Sequence, residues 1–213
     1  MPSIQEIIFL VPILLMSLSF HEFSHGYASY RLGDPTPKMM GRLTLNPLAH
    51  LDLMGSLVLI ITRRFGWAKP VPINPNYYSN PRKGMMFVGL AGPGANIILA
   101  IIFSLLIRLI LFVNGLSVNS IYLSGTGSFI YLTVRFFVLA IIVNLSLAFF
   151  NLIPIPPLDG SKILRGFLPA KYDHYFMQLE GPMGMIILLL LASTGFLWKI
   201  ISPFVNAFFN ILI

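Results

Sequence analysis

The 213-residue sequence contains no cysteine. Structural disulfides, thiolate metal sites and cysteine nucleophiles are therefore excluded, and any metal must be held through nitrogen and oxygen. Charge is scarce too: Asp, Glu, Lys and Arg make up 10% of the chain, and only seven residues are acidic. Hydrophobic residues reach 56%, with a mean hydropathy of +0.83, which is too apolar for the surface of a water-soluble domain of this size. The implied solvent is a lipid bilayer. Repeats, low-complexity tracts and soluble linkers are also missing, so the expectation is a single integral membrane domain over residues 1–213.

A membrane-spanning helix needs roughly 20 mainly apolar residues. Four stretches qualify, at about 4–30, 84–113, 128–151 and 182–212, and the fold class predicted is an all-α membrane protein with about four transmembrane helices. The first stretch carries Glu6, has no basic leader and no small-residue cleavage site, so it is not expected to be a removable signal peptide. The formal charge of +7 sits beside apolar segments rather than along a soluble face. That placement speaks for membrane topology and against a nucleic-acid partner.

Lys and Arg crowd the first connection (Arg31, Lys38, Arg42, Arg63, Arg64, Lys69, Arg82, Lys83) and recur in the third (Lys162, Arg165, Lys171), whereas residues 114–127 have none. The positive-inside rule then places the first and third connections in the cytoplasm and both termini outside. The first connection, about 41–82, also holds apolar pieces too short to span, such as Leu53 to Ile61. A re-entrant or interfacial segment is expected there. Within it, Arg42-Leu43-Thr44-Leu45 and Lys69 to Ile73 alternate with period two, which predicts two short strands, the second an edge because of its prolines. Small residues from Gly89 to Asn96 predict close helix packing at the start of the second span. Asn144-Leu145-Ser146 has the form of a glycosylation sequon but lies inside the third span, so no modification is expected.

The run His21-Glu22-Phe23-Ser24-His25 matches H-E-x-x-H. On a helix, the two histidines lie one turn apart on one face and can reach one zinc ion. Glu22, about 100° around, can hydrogen-bond an activated water and act as general base and then general acid. The pattern is short and recurs in inert soluble helices. Here, however, it follows the uncharged run Phe9 to Phe20, and ionisable groups at membrane depth are destabilising by several kcal/mol unless they face a partner or a wet cavity.

A catalytic zinc ion typically takes three protein ligands and one water. Candidates for the third are His50, Asp52, Asp159, Asp173, His174 and Glu180. His21 lies about 25 Å along the first helix, near the cytoplasmic face in the deduced topology, and the third span ends on that side. There Pro154, Pro156 and Pro157 precede Asp159-Gly160. The prolines stop the helix and leave irregular backbone of the kind that lines a cavity. Asp159 is the preferred third ligand, with helix capping as the alternative reading of the same residue.

These residues carry a resemblance. His21 to His25, and Asn151 to Gly160 read as N-x-x-P-x-P-x-x-D-G, are similar to the two signature motifs of the site-2 proteases (peptidase family M50), intramembrane zinc metalloproteases, in their small bacterial form without a PDZ domain. Leu45 to His50 and Gly89 to Asn96 also resemble stretches common in that family. The resemblance implies one zinc ion per chain on His21, His25 and Asp159, and a role for Asn151 near the substrate or oxyanion. It also implies a membrane-associated hairpin over about 41–73, in which Leu43, Thr44, Leu45, Val71 and Ile73 could pair with an unwound substrate segment. The substrate implied is a membrane-spanning or juxtamembrane peptide cut near the cytoplasmic side of a bacterial plasma membrane. A metal-ion permease built on the same His/Asp cluster, and a membrane chaperone without activity, are the competing readings.

Overall fold

The computed structural model describes residues 4–62, 66–117 and 129–213. The helices are α1 (Ile4–Arg31), α2 (Thr36–Met39), α3 (Leu53–Thr62), α4 (Pro81–Val113), α5 (Phe129–Asn151), α6 (Asp159–Phe167), α7 (Asp173–Leu179), α8 (Pro182–Ser193) and α9 (Phe196–Leu212). Among the described residues there is no β-strand, only an isolated antiparallel bridge between Leu51 and Ala68.

Three of the helices, α1, α4 and α5, are each long and apolar enough to cross a membrane. The 33 residues of α4 would extend about 50 Å. Its start is set locally: Asn80 accepts from the Lys83 N–H, and Pro81 takes a first-turn position where no N–H is needed. α4 packs against both α1 and α5, and α9 lies along α5. Ile13, Ala100, Phe103, Ile107, Ala140, Ile141, Leu145 and Val205 are buried in the seam. Ile98, Leu105 and Leu109 of α4 point outward and are exposed, as expected for side chains whose solvent is lipid. The protein is a multi-pass membrane protein by this architecture.

The fourth apolar stretch departs from the expected single span. Residues 182–212 form two helices, because Gly195 adopts φ 73° and ends the first of them in the left-handed conformation glycine tolerates. The segment Ala170–Leu179 meets Met183–Ser193 at 71°, and counting this bent pair as one span brings the candidate spans among the described residues from three to four. The 17-residue α9 runs back along the bundle until its C-terminal carbonyl at Leu212 accepts from Ser104 Oγ and, at 3.1 Å, from Arg108.

The described residues of the connection between α1 and α4 form no sheet. α3 has 10 residues, too few to span. The two alternating segments, 42–45 and 69–73, do not form the strands that the alternation predicts. Side chains take the backbone groups a ladder would use: Arg42 donates to Lys69 O at 2.7 Å, and His50 Nε2 to Thr44 O at 2.8 Å. Pro70 and Pro72 bring no N–H of their own. His50 is thus a buried structural tie, also reached through Nδ1 by Arg42.

A second tie joins the end of α1 to the approach to α4. Asp34, fully buried, accepts from Ser29 Oγ (2.7 Å), Thr36 N (2.9 Å) and Asn74 N (2.7 Å), while Ser29 Oγ also meets Tyr78 OH at 2.7 Å. Burial pushes the Asp34 carboxyl up, but the N–H and hydroxyl donors around it outweigh that and hold it below the usual carboxylate range.

Candidate metal centre

α1 and α6 meet across α4. His21 and His25 project from one face of α1, as the four-residue spacing dictates, and Asp159 opens α6 directly after the proline-rich turn. Gly160 is needed at that turn, since a Cβ there would lie 2.2 Å from Leu152 O and 2.5 Å from Ile153 O. The three side chains converge deep in the protein, with 5%, 7% and 4% of their residues' surfaces exposed. His21 Nε2 lies 3.1 Å and His25 Nε2 3.0 Å from Asp159 Oδ2, and the two Nε2 atoms are 3.0 Å apart.

The direction of hydrogen bonding around the histidines follows from fixed main-chain acceptors. Asn144 Nδ2 donates to Ala140 O (2.8 Å), so its Oδ1 accepts from Asn96 Nδ2 (2.9 Å). Asn96 Nδ2 also donates to Ser17 O (3.2 Å), which turns Asn96 Oδ1 toward His21 Nδ1 at 2.6 Å. His21 therefore carries its proton on Nδ1. His25 Nδ1 faces Val88 O at 2.7 Å and must donate as well. Both Nε2 lone pairs are left pointing at a carboxylate oxygen. Three acceptors this close and buried are satisfied only by a positive charge among them, a proton on one ring or a metal ion held by all three.

Zinc would suit the spacing. Ligand atoms about 2.0–2.2 Å from a tetrahedral ion lie roughly 3.3–3.5 Å from one another, a few tenths of an ångström beyond the 3.0 and 3.1 Å seen here. His21, His25 and Asp159 form the group able to hold a metal ion among the described residues. Gly92 makes room for it: a Cβ there would come within 2.4 Å of His25 Nε2 and 2.6 Å of His21 Nε2. The small-residue stretch of α4 is thus a packing surface, as its composition predicts, and what Gly92 packs against is the pair His21 and His25.

A cavity of about 350 Å3 opens on this cluster. Glu22 and Asn151 both line it, as do Val71 and Ile73 from the irregular connection. Glu22 Oε2 accepts from the Val71 N–H at 3.0 Å, and Asn151 donates one amide hydrogen to Leu147 O at 2.9 Å. Leu18, Leu147, Phe150 and Leu188 make most of the remaining wall apolar. Leu43, Thr44 and Leu45 do not line it. Leu43 instead packs toward Gly26, and the Thr44 carbonyl is taken by His50.

The other candidate third ligands are engaged elsewhere. Asp52 accepts from Gly55 N at the start of α3, Asp173 pairs with Arg82 and Arg165, Glu180 pairs with Arg165, and the His174 ring donates to Lys171 O. Sequence reasoning missed Asn96, Asn144, Gly92 and Lys162 as parts of the site. Two asparagines inside apolar spans were the available signal, since buried amides at membrane depth need polar partners.

The model of the family described as Peptidase family M50 matches residues 9–191. Three relatives whose names contain the words zinc metalloprotease align over most of the chain. YwhC of Bacillus subtilis is 38% identical over 200 residues, covering 93% of this chain and 86% of its own. Rip2 of Mycolicibacterium smegmatis is 31% identical over 200 residues, covering 92% and 71%. Zinc metalloprotease MJ0392 of Methanocaldococcus jannaschii is 24% identical over 196 residues, 85% of this chain and 45% of its own. No solved structure matches the chain.

Proposed function

Because the chain belongs to peptidase family M50, and is a zinc metalloprotease in a multi-pass membrane protein, we propose that it hydrolyses peptide bonds of membrane-spanning or juxtamembrane substrates near the cytoplasmic face. The observation that carries this reading is the convergence of two Nε2 atoms and a carboxylate oxygen within about 3 Å, beside Glu22, on a helix apolar enough to cross a bilayer.

His21, His25 and Asp159 would hold one zinc ion, which when bound acts as a Lewis acid toward a carbonyl and makes water a nucleophile near neutral pH. Glu22 would take the proton of the attacking water and return it to the leaving amide nitrogen. Its present partner, the Val71 N–H, holds the carboxylate at the cavity wall without neutralising it. Asn151 would use its second amide hydrogen on the oxygen where negative charge develops, its first being held by Leu147 O.

A substrate helix has its backbone hydrogen bonds closed, so it must be unwound before water reaches a carbonyl. The segment containing Val71 and Ile73 lines the cavity and is the stretch against which an unwound substrate would lie in extended form. Leu43, Thr44 and Leu45 would back this stretch rather than pair with substrate. The apolar remainder of the wall suits hydrophobic side chains flanking the cleaved bond. The basic residues of the first and third connections support a cytoplasmic position for this end of the bundle, and the membrane proposed is a bacterial plasma membrane.

The test is cleavage of single-span substrates in liposomes by purified, zinc-loaded protein. Glu22→Gln should lower turnover at least about a hundredfold while zinc content stays at the wild-type level. Equal cleavage by the two proteins would overturn the mechanism.

A further inference from the structure

We infer that Lys162 is a positioning residue of the metal centre, holding Asp159 so that one carboxylate oxygen faces the metal and the other is kept away from it. The inference rests on the reading of His21, His25 and Asp159 as a zinc site. The two oxygens of Asp159 have separate partners. Oδ2 faces both histidines at 3.0 and 3.1 Å, and Oδ1 accepts from Lys162 Nζ at 2.9 Å. A carboxylate without such a partner can swing to bind a metal through both oxygens, which raises the coordination number and uses the position needed for water.

An i,i+3 pair on an exposed helix contributes little. This pair differs because the Asp159 side chain is only 5% exposed, against 29% for Lys162, so the ammonium reaches inward to a buried carboxylate. The stem is held too. α6 packs on α4, and a Cβ built at Gly89 would lie 3.2 Å from Lys162 Cβ and 3.1 Å from Asp159 O. Gly89 and Gly92, about one helical turn apart, thus seat the lysine, the aspartate and the histidines on one face of α4. Lys162 also lines the cavity that Asp159 and Glu22 line, with its ammonium on the Asp159 carboxylate.

The test compares Lys162→Met, which keeps length and loses charge, with Lys162→Arg, which keeps a donor, in purified full-length protein. Zinc affinity is read by chelator competition. Coordination is read from the visible spectrum of the cobalt-substituted protein, which weakens as coordination rises from four to five. Lys162→Met should lose about tenfold or more in zinc affinity, the range for removing a group that orients a metal ligand, and its cobalt spectrum should weaken. Lys162→Arg should retain both within about threefold of wild type on the same scale.

Wild-type affinity and spectrum in Lys162→Met would overturn the inference. So would a loss of thermal stability of equal size with and without metal, because that would mark the pair as a fold contact only. His25→Ala is the control: if it too keeps zinc, the metal-centre reading itself fails, whereas zinc loss in His25→Ala alone defeats only the role given to Lys162.

Discussion

Gly92 shows how a residue without a side chain can decide a site. Its Cα faces the space between the two histidine rings, and the nearest ring atoms would lie 2.4 to 2.6 Å from any Cβ placed there. Those atoms belong to imidazoles fixed by Asn96 and Val88, so they cannot step aside as the end of a flexible chain would. Gly92→Ala should therefore keep the fold and lose zinc affinity by at least about tenfold, measured as metal per chain after dialysis against a weak chelator. Full occupancy at wild-type affinity would show that the rings relax more easily than their hydrogen bonds suggest. Asn96 belongs to the same scale, since it reads the tautomer of His21 through a chain of amides anchored on Ala140 O and Ser17 O.

At the scale of elements, the connection between α1 and α4 is held by buried polar ties rather than by a sheet. Asp34 is the clearest of them, because its three donors come from α1, from the turn after it and from the approach to α4. Its carboxyl is held below the ordinary value, so the folded state binds this proton less readily than the unfolded chain does. The stabilisation is then present above the unfolded value of about 4 and is lost as pH falls through the folded one. Thermal melts of wild type should lose stability below about pH 4, and Asp34→Asn should remove part of that dependence while lowering stability by about 1–3 kcal/mol near neutral pH. An acid limb of unchanged slope in Asp34→Asn would place the titrating group elsewhere.

Across the whole molecule, the residues proposed to hold the metal come from α1 and from α6, more than 130 residues apart in sequence, and both helices pack on α4. A bound ion therefore cross-links the first span to the segment that follows the third. Removing zinc with a chelator should lower the unfolding temperature. The free energy involved is about 4 kcal/mol when free zinc stands a thousandfold above its dissociation constant. The shift should vanish in His21→Ala, measured in the same detergent. An equal shift in that variant would mean that the chelator acts on another site.

The sequence by itself determined the class of solvent, the three long spans, the helical pairing of His21 with His25, and the rigid turn that presents Asp159. Each of these rests on local physics: apolar run length, the 3.6-residue period and the backbone limits of proline. The same local reasoning failed at 182–212, where the apolar run continues but a left-handed Gly195 divides it, and at 42–45 and 69–73, where alternation mimics strands whose backbone groups Arg42 and His50 claim. Only the tertiary structure decided that Asn96 and Asn144 orient a histidine and that Gly92 lies against the two histidine rings. It also decided that Lys162 and the Val71 N–H engage the two acidic groups of the site. These relations join residues tens of positions apart, and they depend on how helices face one another, which periodicity along a single chain does not encode.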